Sequence, residues 1–204
     1  MGGRAHRHEC APDSKWVVRD TNANPMKTYI ALFRGINVGG SNLLPMRQLV
    51  SILEGLGLQR VETYIQSGNA VFRSKISEAS RLATQIGAAI EKARGFRPDV
   101  MLLGAAELQR AMDANPFPEG TAEPNKLHLY FLASAPQKPD LAALQGLASA
   151  RERFALIDRA FYLHAPDGIG RSKLAARVEK PLGVAATARN WSTVLKVAEM
   201  AGRS

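Results

Sequence analysis

The segment Lys-Thr-Tyr-Ile-Ala-Leu-Phe-Arg, residues 27–34, constrains the fold more than any other stretch. Side chains alternate along a strand, so Tyr29, Ala31 and Phe33 point to one side of a sheet while Ile30 and Leu32 point to the other. Both faces are apolar and both need a cover. In a lone ferredoxin-like unit two helices cover a single face, so the second face needs a cover, and the other half of the chain is the obvious candidate. A chain of 204 residues is long enough to supply it.

The pattern after this strand identifies the unit. Met46, Leu49, Val50, Leu53 and Leu56 repeat at helical spacing between Pro45 and Gly57. Residues 60–66 and 70–73 read as a hairpin around Ser67-Gly68-Asn69. A second helix carries Leu82, Ala83, Ile86, Ala89, Ile90 and Ala93 and closes at Gly95, and residues 99–103 form another strand. The order is βαββαβ. A linking helix near 105–114 stops at Asn115-Pro-Phe-Pro118, and the series begins again with a strand at 127–133, a helix at 139–147 and a hairpin at 154–164 around Asp158-Arg159. A helix at 171–180 follows. A last helix over about 189–201, with Trp191, Val194, Leu195 and Ala198 as its core stripe, is expected in place of a fourth strand.

The expected fold class is therefore α+β: a ferredoxin-like βαββαβ unit over 26–104, a linking helix and loop over 105–126, and a second βαββα-type unit over 127–204, packed as one body. Residues 1–25 show no apolar period and end in Asn22-Ala-Asn-Pro25, which marks them as a disordered N-terminal extension with Met26 as the start of the fold. The His6, His8, Cys10 cluster in that stretch is a weak metal motif, and no metal site is expected in the body. Cys10 is the lone cysteine, no apolar run is long enough to span a membrane and the N-terminus does not read as a secretory signal, so a cytoplasmic protein without membrane association is expected.

Formal net charge is +9, and residues 1–25 hold four Lys/Arg against three Asp/Glu, so +8 remains on the body. A basic surface attracts anionic partners. Tyr29-Ile-Ala-Leu-Phe-Arg-Gly-Ile-Asn-Val-Gly-Gly40, Tyr64-Ile-Gln-Ser-Gly-Asn69, Asn115-Pro-Phe-Pro118, Gly170-Arg-Ser-Lys-Leu174 and Ala186-Thr-Ala-Arg-Asn-Trp191 together resemble a widespread bacterial family known as a domain of unknown function. The resemblance runs from about Met26 to Ala201 and implies a two-part α/β fold. It implies no activity, cofactor or catalytic residue.

Topology supplies a candidate site. In a βαββαβ sheet the first and second strands run the same way, so the loops after them emerge at one end. One loop carries Arg34, Gly35, Asn37, Gly39, Gly40 and Asn42, and the other carries Gln66, Ser67 and Asn69. Backbone N–H groups beside a guanidinium and several amides make a cradle for a small anionic or polar ligand. The competing reading of each piece is structural: Gly39-Gly40 for a bend, Asn37 for a turn, Gly68-Asn69 for ordinary hairpin chemistry. A second candidate anion site is Gly170, Arg171, Ser172 and Lys173 at a helix start, with Arg189 on the same surface. It is not a Walker A sequence, and Ser172 reads equally as a cap and the charges as a solvated face. Asn190 is the expected cap of the last helix and Trp191 its core anchor.

Catalytic constellations are thin. His128 and His164 sit on strands, H-E-x-x-H and G-x-S-x-G are absent, and Ser67 lies in a hairpin rather than a strand-to-helix elbow. Neither a reaction, a cofactor nor an oligomeric state is legible. Two further readings stand beside the small ligand: nucleic-acid binding through the basic surface, and a protein-interaction module. The first lacks the aromatic platform of RNA-recognition modules, since Gly68-Asn-Ala-Val-Phe-Arg73 has little of the required pattern.

Overall fold

The structure, a computed structural model, describes residues 25–66 and 68–203. Apart from Pro25, the expected extension with its His6, His8, Cys10 cluster lies outside the described residues, as does Ser67. The first half runs β1 (Lys27–Arg34), α1 (Met46–Gly55), β2 (Gln59–Tyr64), β3 (Asn69–Ser74), α2 (Ala79–Arg94) and β4 (Asp99–Gly104). Its sheet has the order β2-β3-β1-β4 with every neighbouring pair antiparallel. Helix α2 ends where Gly95 takes φ +77° and donates its N–H to the Glu91 carbonyl, with Lys92 and Arg94 complementing the negative end of the helix dipole.

The two faces of β1 meet different partners. Tyr29, Ala31 and Phe33 pack with Leu49 and Leu53 of α1 and Leu82, Ile86 and Ile90 of α2. Ile30 and Leu32 join Leu129, Phe131, Tyr162, Trp191 and Val194 in a core shared by both halves. The cover that the sequence demanded for the second face is thus the other half of the chain.

That half comprises α3 (Ala105–Asp113), a 3-10 turn at Pro118–Ala122, β5 (Leu127–Leu132), α4 (Leu141–Leu147), β6 (Arg153–Ile157), β7 (Ala160–His164), a 3-10 turn at Ile169–Arg171, α5 (Lys173–Arg177), α6 (Glu179–Leu182), β8 (Ala186–Asn190) and α7 (Trp191–Arg203). Its sheet order, β6-β7-β5-β8, repeats the permutation of the first.

The second unit therefore does have its fourth strand. Ala186-Thr-Ala-Arg-Asn190 pairs antiparallel with β5, from Leu132 opposite Ala186 to His128 opposite Asn190. The last helix follows β8 instead of replacing it. Asn190 does cap α7, its Oδ1 accepting from the Thr193 N–H at 3.0 Å. Helix α7 packs on both sheets through Trp191, Val194, Val197, Met200 and Ala201, whereas Leu195, expected in the core, is 46% exposed. The expected helix over 171–180 is two pieces, because Pro181 has no N–H to offer and its ring crowds the carbonyl four residues back, at Arg177. Among the described residues no helix is long and apolar enough to cross a membrane.

Candidate functional site at the junction of the halves

The loops after β1 and β2 do meet at one end of the first sheet. The Asn37 side chain, on a residue at φ +54°, donates to the carbonyls of Leu44 at 3.0 Å and Gln66 at 2.8 Å, and accepts from the Leu44 N–H at 2.7 Å. Asn42, at φ +52°, donates to the Gly35 carbonyl at 2.8 Å. These amides hold the loop closed on itself and on its neighbour. Gly35, Gly39 and Gly40 all have positive φ with open space beside them, so they permit the bend. Gln66 contributes its backbone carbonyl.

Arg34 and Asn69 instead reach across to the second half. The Arg34 guanidinium forms a two-pronged pair with Glu179 at the start of α6, at 2.5 and 2.9 Å. Asn69 is fully buried, and its Oδ1 accepts from Nε of Arg189 at 2.5 Å. The same guanidinium donates to the carbonyls of Phe33 at 2.9 Å, Gly68 at 3.0 Å and Ala188 at 2.7 Å. Burial lowers the Arg189 pKa to about 10, which still leaves the group protonated at neutral pH.

Arg189 consequently does not share a surface with Gly170, Arg171, Ser172 and Lys173. It lies opposite Leu129, which faces the shared core, whereas Ile169 and Leu174 pack on the other face of the second sheet. Ser172 is a cap: its Oγ accepts from the Ala175 N–H at 2.9 Å. Gly170, Arg171, Ser172 and Lys173 line a separate cleft of about 690 Å³ together with Gly146–Ser149.

A cleft of about 510 Å³ opens between the halves, with Arg34, Asp99, Glu107, Arg159 and Thr187 among its lining residues. Arg159 is anchored by the Leu132 and Ala133 carbonyls and pairs with Glu107 at 3.2 Å. Thr187 lines the same cleft and is 5% exposed. It stands opposite Phe131, on the face of β8 turned toward the first half. Among the described residues no group of three His, Cys, Asp or Glu side chains is placed to hold a metal ion.

The family model described as "Protein of unknown function (DUF1697)" matches residues 26–162. The chain belongs to the DUF1697 family. Curated proteins give no match. Among solved structures, the conserved bacterial protein SP0830 from Streptococcus pneumoniae is similar at 24% identity and a TM-score of 0.68, over 87% of this chain and 99% of that one. At that identity the likeness speaks for the fold. The family match includes β1 to most of β7, whereas Arg171–Lys173 and β8 lie beyond it.

In this DUF1697 chain the junction residues that sequence reasoning missed are Asp99, Glu107, Arg159, Glu179 and Thr187. Thr187 and Arg189 alternate on a strand read as loop and helix, so their common inward face was hidden. Asp99 was visible as the cross-strand neighbour of Arg34 once β4 is placed beside β1.

Proposed function

We propose that this protein binds a small anionic or polar molecule in the cleft between its halves. The observation that carries this reading is the cleft itself, whose lining brings Arg34, Asp99, Arg159 and Thr187 together between the halves. Thr187 stands on the inward face of β8, where its hydroxyl can donate to or accept from a ligand in the cleft. Arg34 lines the same cleft, held in one orientation by Glu179, which fits recognition of a carboxylate or phosphate by a pre-set guanidinium. Asp99 adds an acceptor, which favours an anion that also carries hydroxyl or amino donors. Sites of a few hundred Å³ at the interface of two units are a common place for such ligands. The loop cluster of Gly35, Asn37, Gly39, Gly40, Asn42 and Gln66 then serves mainly to position the end of β1, from which Arg34 projects. A cytoplasmic location is part of this reading, supported by the single cysteine of the sequence.

Thermal-shift screening of carboxylates, phosphosugars and nucleotides tests the proposal. A ligand at one hundred times its Kd adds about 2.7 kcal/mol of stability. Thr187→Val, which keeps shape and removes the hydroxyl, and Ala83→Leu, which fills the cleft from α2, should each abolish most of that shift. A broad library with no stabilising member, or a shift that survives both substitutions, overturns it.

A further inference from the structure

Outside the junction, the densest unneutralised charge lies on the second half. Arg171, Lys173, Arg177 and Lys180 fall within ten residues, all are exposed, and none has an ion-pair partner among the described residues. Lys173, Arg177 and Lys180 follow i, i+4, i+7 spacing along α5 and α6, with Val178 between the two helices in αR backbone, so they form one row. Leu174, Val178 and Leu182 form the opposite, buried row. Successive cations of this row are about 4.5–6 Å apart along the axis, from a rise of about 1.5 Å per residue.

The row borders a groove. Arg177 and Lys180 line a cleft of about 830 Å³ between α4 and α5–α6. Arg171 and Lys173 line the adjacent one, and both clefts include Gly146 and Leu147. Of the carboxylates along this groove, Asp167 pairs with Arg151 and Glu179 with Arg34, while Asp140 and Glu152 accept from the Ala143 and Ser149 N–H groups and keep their charge. Among the described residues, four unpaired cations against two unpaired carboxylates leave the groove net positive.

We propose that this groove binds the sugar–phosphate backbone of a single-stranded nucleic acid. A row of cations at near-regular spacing suits a linear polyanion better than a single phosphate, and a groove suits a strand better than the flat surface of a membrane. No aromatic side chain lines either cleft, and Tyr29 and Phe33, the aromatics of β1, are buried beneath α1 and α2. Binding is therefore through phosphates, indifferent to base sequence and steeply dependent on salt. The inference rests on the α5–α6 row and is independent of the cleft between the halves.

Fluorescence anisotropy of the full chain with labelled oligo-U and oligo-dT of ~20 nucleotides, titrated from about 20 to 200 mM salt, tests it. Four phosphate contacts predict a log–log salt slope of about −3. The triple variant Lys173→Ala, Arg177→Ala, Lys180→Ala should lose at least about tenfold in affinity and flatten the slope by about 2. The charge-matched variant Arg47→Ala, Arg81→Ala, Arg110→Ala should stay within about twofold of the parent. Single Arg177→Gln, with an unchanged thermal melt, should show an intermediate loss. The proposal fails if neither oligonucleotide binds at low salt, if the charge-matched variant loses as much as the row variant, or if anionic phosphatidylglycerol vesicles bind through the row while oligonucleotides do not compete.

Discussion

Gly68 shows at the scale of one residue how the first sheet meets the second half. Its φ is +79°, and a Cβ there would lie 2.6 Å from Ile36 Cδ1 and 2.8 Å from Phe33 Cβ. Its carbonyl accepts from the Phe33 N–H at 2.9 Å and from the Arg189 guanidinium at 3.0 Å. Conformation, space and hydrogen bonding thus all require glycine at one point. Ile36 Cδ1 is the end of a flexible side chain and can move, but Phe33 Cβ is fixed to its strand. Gly68→Ala should cost about 2–4 kcal/mol, combining a left-handed backbone with overpacking. Gly40→Ala, at φ +78° with open space, supplies the comparison and should cost about 1 kcal/mol. Urea denaturation reads both, and equal midpoints for the two variants would show that the close approach of Ile36 and Phe33 carries no cost.

At the scale of elements, β1, α6 and β8 are tied by one carboxylate. Glu179 Oε1 accepts from Arg34 and also from the Ala186 N–H at 2.7 Å, at the first residue of β8. Burial pushes the Glu179 carboxyl up, but hydrogen bonds from Arg34 and Ala186 outweigh it and hold the group below the usual carboxylate range. A depressed folded-state pKa means that the unfolded chain binds more protons in the window between the two values, so stability rises with pH there. The contribution is complete above about 4.5, the ordinary glutamate value, and is lost as pH falls through the folded one. The side chains are 41% and 37% exposed, so solvent screens the pair. A double-mutant cycle of Arg34→Met and Glu179→Gln should give a coupling of about 1 kcal/mol at pH 7, falling in high salt and vanishing at acid pH. A coupling that persists once Glu179 is protonated would assign the tie to packing.

Much at this scale was legible beforehand. Alternation in β1, the stripe of α1, the αL glycine that ends α2 and the parallel course of β1 and β2 are local signals, and they placed the loops at one end of the sheet. What escaped was β8. Ala-Thr-Ala-Arg-Asn alternates only through two small alanines and has Thr187 as its one strand former, and it is a strand because β5 offers it an edge. The partners of the candidate residues also escaped, since Arg34 meets Glu179 across 145 positions and Asn69 meets Arg189 across 120. Local pattern contains no term for such pairings. The charge of the α5–α6 row was visible, but its alignment on one helical face depends on Val178 continuing the αR backbone despite Pro181.

At the scale of the molecule, the two sheets share one core, and this determines how the protein unfolds. Ile30, Leu32, Val71 and Leu103 from the first half interleave with Leu129, Phe131 and Tyr162 from the second, and α7 packs against both sheets. Separating the halves would expose apolar faces on each, which cooperative units avoid. Leu32 is 1% exposed, so Leu32→Ala should destabilise the protein by about 2–5 kcal/mol through lost burial and a residual cavity. The location of the loss is the informative quantity. If the shared core makes one cooperative unit, hydrogen exchange protection in β7, which does not pair with β1, should fall by the same free energy as in β3, which does. Loss confined to the first sheet, or two separate melting transitions, would mean that each half is stabilised by its own helices and that the shared core only docks them. The cleft lined by Arg34 and Thr187 would then lie at a mobile seam, whereas equal loss makes it a fixed feature of one folded body.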